Sequence, residues 1–507
     1  MSGRLKKCLL LALAGVLLAG VSRVQTALNR ERDELGLTRT EPLENAPPVL
    51  AFTTVALGGF RGLIANALWI RASELQDDDK FFEMAQLADW ITKLEPHFAQ
   101  VWIYQAWNLA YNISVRFKDF SDRWRWVERG IQLLRDEGLR YNPNEPLLYR
   151  ELAGFFQHKL GGYTDDAHLY YKRQWADEMT QVFGNTKPNF DELINPQTDD
   201  ATARVKLLRE KYKLDPKLMR EVDERYGPLE WRLPETHAIY WAVLGLQKAE
   251  QNLSKINPND LIHLHRVIYQ AMQLAFQRGR LIPNPFEQTF EFGPNLDLIP
   301  KVNFAYEEAQ REDVENRDYY SRAQRNFLRD AVYFLYVHNR LAEAANWYRY
   351  LGEKFPDKNL LEDNPNSLPR QLTLDEYAVG RVQGDVGETA LYRLKSVIEG
   401  LLVNSFRCLV LGEDGRAAGF QMLAQKIRAT FQSKIKDREE AIGLPTMDQL
   451  RREVVNQLLD PENGFLPEMR AVLRTKLSLP AETAPPAISQ TNAPPAITNP
   501  PPAAADR

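Results

Sequence analysis

Residues 95–110 read EPHFAQVWIYQAWNLA, with Pro96 six residues ahead of Trp102, then Gln105-Ala106 and Leu109 on the positions three, four and seven after the ring. Those offsets share one face of a 3.6-residue helix, and a proline ends the helix before it. The arrangement recurs: Pro143 stands six residues before Tyr149, followed by Leu152-Ala153 and Phe156. Around Trp241 the ring and the pair Leu244-Gly245 return, with Lys248 in the last place. A second pattern precedes the prolines. Met84, Ala88, Ile91 and Pro96 are spaced four, three and five apart, and Ala344, Tyr348, Leu351 and Pro356 repeat that spacing. A small residue lets a neighbouring helix approach, a large one fills the gap, and proline stops the helix so that another unit can begin.

These residues resemble the tetratricopeptide repeat family, whose unit is a helix–turn–helix pair of about 34 residues. The resemblance covers residues 64–160, 236–275 and 325–356. It departs from the family pattern where Pro96 and Pro143 lie 47 residues apart, a distance that predicts a lengthened second helix. The aromatic place is also missing after Pro356. The implied fold is all-α: a degenerate helix–turn–helix array, a TPR-like α-solenoid whose first helices line a concave surface. Alternating strand patterns separated by hairpin turns are not read anywhere in the chain.

The first residues carry Arg4, Lys6 and Lys7, then run uncharged from Cys8 to Val21. Such a run spans about 21 Å as a helix, short of the ~30 Å hydrocarbon core, and fits a signal-peptide core or a short signal anchor. Residues 1–27 are therefore expected to direct export, preferably as an uncleaved anchor, with the body outside the cytoplasm (periplasmic or extracytoplasmic). Residues 28–48 read as a tether and 49–180 as TPR-like helical repeats. Residues 181–235 read as an irregular insert around two short charged helices, and 236–476 as a second helical-repeat region with loop-rich patches at 281–302 and 356–370. Thr373 and Glu376 have the form of a capping box. Residues 477–507 hold eight prolines and repeat APPAIS and APPAIT nine residues apart, a composition expected to be disordered or polyproline-like.

Lys and Arg number 64 against 68 Asp and Glu, a formal charge of −4, which argues against a general nucleic-acid binder. Cys8 and Cys408 supply neither a disulfide framework nor a cysteine metal site. Phosphate-loop, dinucleotide, nucleophile-elbow and H-E-x-x-H signatures are missing from the sequence. His263 and His265 lie about 200° apart on a helix and cannot share a metal from one face. Asp77, Asp78 and Asp79 read as a solvated turn. No catalytic residue, cofactor or metal is assigned.

The resemblance implies groove-facing residues two before the key aromatic and one, five, eight and nine after it. From Trp102 these are Gln100, Ile103, Trp107, Ala110 and Tyr111; from Tyr149 they are Leu147, Arg150, Gly154, Gln157 and His158. Gln100, Ile103, Trp107, Tyr111, Arg150, Gln157 and His158 form the implied partner-binding set. The positions implied from Trp241 (Ile239, Ala242, Leu246, Ala249, Glu250) are mostly apolar and suit packing on the insert. Beside the implied set, Tyr104, Asn108, Asn112 and Arg116 make an i, i+4 row, which reads either as a clamp on a peptide backbone or as a network satisfying buried backbone at a helix crossing. Trp124 and Trp126 cannot both face inwards on a helix, so one is a surface candidate.

The leading expectation is a non-enzymatic, membrane-tethered scaffold that binds a protein or peptide partner in the cell envelope. A second reading places an envelope enzyme or carbohydrate-binding site in GPLEWRLPETHAIYW (227–241), around Glu230, Glu235 and His237, against a plain loop and capped helix. A third is a structural subunit of an envelope complex.

Overall fold

The computed structural model describes residues 61–481, apart from 163, 185, 251–257, 285–288, 362–363, 385–390 and 435–444, together with scattered residues of a helical stretch between 15 and 31. The expected leader, tether and tail lie largely outside the described residues. Among these residues no helix is long and apolar enough to cross a membrane. The chain divides into two compact units, one of residues 1–280 and 293–321, the other of 281–292 and 322–507. Among the described residues both are built of helices, with one two-stranded hairpin.

The first unit opens with α1 (Arg61–Asp77) packed against α2 (Phe81–Leu94). Ala72, Leu75 and Met84 are buried between them with Phe81, Leu87 and Tyr104 around them. Ala65, Ile91, Leu94 and Val101 form a second cluster against Ile64, Leu68 and Trp69. The Met84, Ala88 and Ile91 spacing read from the sequence is the buried face of α2. Next come α3 (Ala99–Trp107) and α4 (Phe120–Gln132), then α5 (Pro146–Gly154). Each of these three runs on through a wide π turn: Asn108–Ile113 after α3, Leu133–Gly138 after α4 and Phe155–Leu160 after α5. The 47-residue spacing was read as one lengthened helix. Instead, both helices of this pair are long, covering 99–116 and 120–141, and each contains a wide turn.

The spacing of six from proline to ring has a direct cause. Trp102 Nε1 donates to the Pro96 carbonyl at 2.8 Å, and the Tyr149 hydroxyl donates to the Pro143 carbonyl at 2.8 Å. In each case a ring in the second turn reaches back to the carbonyl of the proline in the preceding loop, a group with no helical partner there. Asn142 joins the two loops, its Nδ2 donating to Pro96 O at 2.8 Å and Gly138 O at 3.1 Å. Small residues at the helix crossings mark close approaches. A Cβ on Gly130 would meet Ala106 O at 3.0 Å, and one on Gly245 would meet Tyr149 Cβ at 2.6 Å.

Helix α6 (His168–Phe183) follows, and residues 181–235 belong to the same unit. That stretch forms three helices, α7 (Phe190–Ile194), α8 (Asp199–Glu210) and α9 (Pro216–Tyr226), one more than the two read from its charges. Thr198 caps α8, accepting from Ala201 N at 3.1 Å. Helices α10 (Pro234–Glu250) and α11 (Pro258–Arg278) pair with each other and both pack on α5, and α12 (Ile299–Glu312) packs on α11.

In the loop-rich patch after 280, β1 (Arg280–Asn284) pairs with β2 (Thr289–Gly293). Two five-residue strands hold too short an alternation to stand out in the sequence. Helix α13 (Arg317–Val337) leads to α14 (Leu341–Lys354), where Ala344 and Leu351 of the repeated spacing are buried. The second unit continues with α15 (Leu374–Gly384), α16 (Leu391–Val410), α17 (Asp414–Lys434), α18 (Met447–Leu458) and α19 (Pro467–Lys476). The capping box read at Thr373 is formed: Thr373 N donates to Glu376 Oε2 at 2.8 Å and Glu376 N to Thr373 Oγ1 at 3.2 Å.

Candidate functional site: a groove across three helices

Helices α1, α3 and α5 contribute to one groove of about 470 Å³. Trp69 and Gln76 come from α1; Gln100, Ile103, Tyr104 and Trp107 from α3; Asn108 and Asn112 from its wide turn; and Leu147, Arg150 and Glu151 from α5. On each helix the contributors are spaced three, four or seven apart, the spacing that brings residues to one helical face.

Trp107 is 46% exposed, a large apolar surface left open to solvent. It does not stand unsupported. Its ring stacks on Tyr111 at 4.0 Å with the planes 16° apart, and Tyr111 meets Phe155 edge-on at 5.5 Å. Lys159 Nζ lies 4.8 Å over the Tyr111 ring and is itself held by Asp165 at 2.5 Å. Burial raises the Tyr111 hydroxyl well above its ordinary value, with Glu151 and Asp165 adding to the effect, so this ring stays neutral. The indole is thus fixed before any ligand arrives, which lowers the ordering entropy of binding.

Across from it, Trp69 packs on Tyr104 at 4.8 Å, and the Tyr104 hydroxyl donates to Gln76 Oε1 at 2.5 Å. Asn108 Nδ2 donates to Phe81 O at 3.2 Å and its Oδ1 accepts from Asn112 Nδ2 at 3.3 Å. Arg150 donates twice to Glu151 Oε1, at 3.1 and 2.6 Å, so the charges lining the groove pair with each other. The outcome is a surface of aromatic rings and amides. It can hold an uncharged extended segment by stacking and hydrogen bonds.

The groove therefore brings together Gln100, Ile103, Trp107 and Arg150 of the implied set with Tyr104, Asn108 and Asn112 of the polar row. Four residues lie elsewhere. Tyr111 sits behind Trp107 as its support. Gln157 is 2% exposed and donates to Gln270 Oε1 at 3.1 Å, inside the packing of α11. His158 is exposed but does not line the groove, and Arg116 pairs with Asp79 at 2.9 Å. Three of the four share one physical reason. The hits on α3 and α5 precede the wide turns, whereas Tyr111, Gln157 and His158 fall inside them. A π turn inserts a residue and moves the register on, so that Asn112 rather than Tyr111 opens on the groove. In the polar row, Asn108 satisfies the Phe81 carbonyl, and both Asn108 and Asn112 line the groove. Trp69, Gln76 and Glu151 were not read from the sequence. The i, i+7 spacing of Trp69 and Gln76 on the helix ahead of the first full motif was the available signal.

The stretch 227–241 is arranged differently. Glu230 pairs with Arg232 at 2.8 Å, and Glu235, 1% exposed, accepts from Arg278 Nε at 2.6 Å. His237 is buried among Phe156, Trp175 and Trp231, with Nε2 donating to Trp231 O at 2.9 Å. Burial lowers this imidazole to about 4, outweighing the raising effect of the carbonyl, and Arg135 lowers it further. Each of the three is tied to a neighbour, Glu235 Oε2 and His237 Nδ1 are buried without a hydrogen-bond partner, and none of the three lines the groove. Trp124 is the inward member of its pair, while Trp126 is half-buried against Phe82 and Phe117. Among the described residues no group of His, Cys, Asp and Glu is placed to hold a metal ion.

Comparison with family models, with curated proteins and with solved structures gives no match for this chain.

Proposed function

We propose that this chain is a non-enzymatic scaffold that binds an extended segment of a protein partner in the groove across α1, α3 and α5. The helix pairs of residues 61–160 are read as degenerate tetratricopeptide-like units, with α1, α3 and α5 as first helices. The observation that carries the proposal is the shared groove: α1, α3 and α5 contribute an exposed, stacked tryptophan, two further rings and several amides to one surface. Such surfaces concentrate binding energy in buried aromatic anchors surrounded by polar contacts. The basic and apolar leader supports a membrane-tethered location in the cell envelope.

The test is crosslinking capture from intact membranes with the native chain and with a Trp107→Ala/Arg150→Ala chain. Loss of a central tryptophan anchor costs about 2 kcal/mol or more, roughly thirty-fold in affinity. A defined partner captured by the native chain and lost from the variant is the expected result. Equal capture by both chains removes the groove from the proposal.

A further inference from the structure

The second unit holds a separate groove, of about 710 Å³, between α18 and the end of α19. Its walls follow from local structure. On α18, Arg452, Val455, Asn456 and Leu459 share one helical face and open on the groove, while Leu450, Val454 and Leu458 are buried on the other side. On α19, Arg474 and Leu477 line the same groove. Helix α19 then ends in a Schellman turn. Ser478 takes a left-handed φ of 53°, its N donates to Thr475 O at 3.1 Å, and Leu479 N donates to Arg474 O at 2.8 Å. That reversal places Leu479 and Pro480 on the groove wall.

The charges in this groove do not cancel. Arg451, Arg452 and Arg474 line it against one carboxylate, Asp460. The backbone N–H groups of Asn463 and Glu462 donate to Asp460 Oδ1 at 2.7 and 2.8 Å and hold this carboxyl below its ordinary range, so it is ionised. Asp460 lies eight residues beyond Arg452, about 12 Å at the helical rise. Among the described residues no carboxylate pairs with any of the three arginines. Arg451 lies over the Phe406 ring at 5.6 Å, and Arg474 Nη1 donates to Pro480 O at 3.1 Å. Arg474 Nε is buried without a hydrogen-bond partner, an unmade bond that costs free energy. With Nη1 engaged, Nε and Nη2 are the side-on donor pair that matches the two oxygens of one carboxylate.

The rest of the wall is largely aliphatic, with Val455, Leu459, Leu477 and Leu479. A concave, mostly apolar site with a few placed polar groups suits a small molecule. A peptide would need main-chain partners, and Asn456 is the one amide among the described residues of the wall. A ligand with several carboxylates would also meet Asp460. We propose that this groove binds a long-chain carboxylate, one molecule at a time, with its head on Arg474 and Arg452 and its chain over the aliphatic wall. The Arg474 side chain turns its Nε edge to the head, which supplies the missing acceptor.

Sodium dodecanoate, kept below its micelle concentration, is titrated by isothermal calorimetry into the full chain in detergent-free buffer. One saturable site is expected, weakened at least ten-fold by Arg474→Gln and at least three-fold by Arg452→Gln. Arg452 is exposed and has no partner among the described residues, so its replacement tests the head contact without disturbing the fold. Far-ultraviolet circular dichroism checks both variants. Trp107→Ala, in the first unit, should leave the affinity unchanged. Each fully buried methylene is worth about four-fold in affinity, so decanoate, two methylenes shorter, should bind at least four-fold more weakly. Dodecyltrimethylammonium, the same chain on a cationic head, should not compete. The proposal is overturned by no saturable binding, by unchanged affinity in Arg452→Gln and Arg474→Gln, or by equal binding of the cationic amphiphile. Arginine-dependent binding of hexaglutamate tighter than that of dodecanoate also overturns it and assigns the groove to an acidic peptide.

Discussion

At the scale of single residues, the first unit is stitched by side chains that return to loop carbonyls. Pro96 O accepts from both Trp102 Nε1 and Asn142 Nδ2, and Asn142 is itself buried. Replacing Asn142 by Ala strips one donor from Pro96 and one from Gly138. The expected loss is about 1–3 kcal/mol in urea unfolding, against about 1 kcal/mol for Tyr149→Phe, which removes one hydrogen bond. A smaller loss for Asn142→Ala than for Tyr149→Phe would show that the joined loops are not a major tie. His237 gives a pH signature. Its imidazole titrates near 4 in the fold and near 6.5 in the unfolded chain. Between those values the unfolded chain binds more protons, so stability falls as pH drops from 6.5 to 4 and the group's contribution is fully present above 6.5. The shift corresponds to about 3 kcal/mol. Denaturant unfolding at a series of pH values should show this slope in the native chain and its loss in His237→Gln. Parallel slopes in the two chains would mean that His237 does not supply it.

At the scale of elements, the wide turns decide what the sequence could reveal. The buried stripes of α2 and α14, the proline-to-ring spacing of six and the capping box at Thr373 were legible, because each depends on residues a few positions apart in the chain. So were Gln100, Ile103, Trp107 and Arg150, which precede the π turns. Tyr111 and Gln157 were misplaced because nothing in NLAYNI or FFQHKL announces the inserted residue; close packing such as Gly130 against Ala106 and Ala110 is set by the neighbouring helix. Trp69 and Gln76 were missed because their role depends on which helix lies beside α3, a matter of tertiary arrangement. The same logic makes Gly245 a sharp test of the α10–α5 contact. A methyl group there meets Tyr149 Cβ at 2.6 Å, an atom close to the backbone that cannot swing aside. Gly245→Ala gains helix propensity of about 1 kcal/mol but is expected to lose more through overpacking, which typically costs about 1–3 kcal/mol. Urea unfolding that shows Gly245→Ala more stable than the native chain would mean that the two helices can separate freely.

At the scale of the whole molecule, each of the two units carries its own buried core, and the groove belongs entirely to the first. Residues 181–235, read from the sequence as an irregular insert, lie within the first unit, and the partition between the two units has no marker in the sequence pattern. In the second unit α16 packs on α17 and on α18, Ile398 is fully buried, and Ser405 donates to Ala417 O at 2.9 Å. Ile398→Ala removes buried methyl groups and is expected to cost about 2–5 kcal/mol in that core. Stability in a multi-unit chain is not uniform, and amide exchange reads it segment by segment. The expected result is faster exchange across α16, α17 and α18, with rates in α1 to α5 unchanged and capture through the groove intact. Acceleration spread equally over α1 to α5 would mean that the two cores unfold as one, and substitutions in the second unit would then alter binding at a distance from the groove.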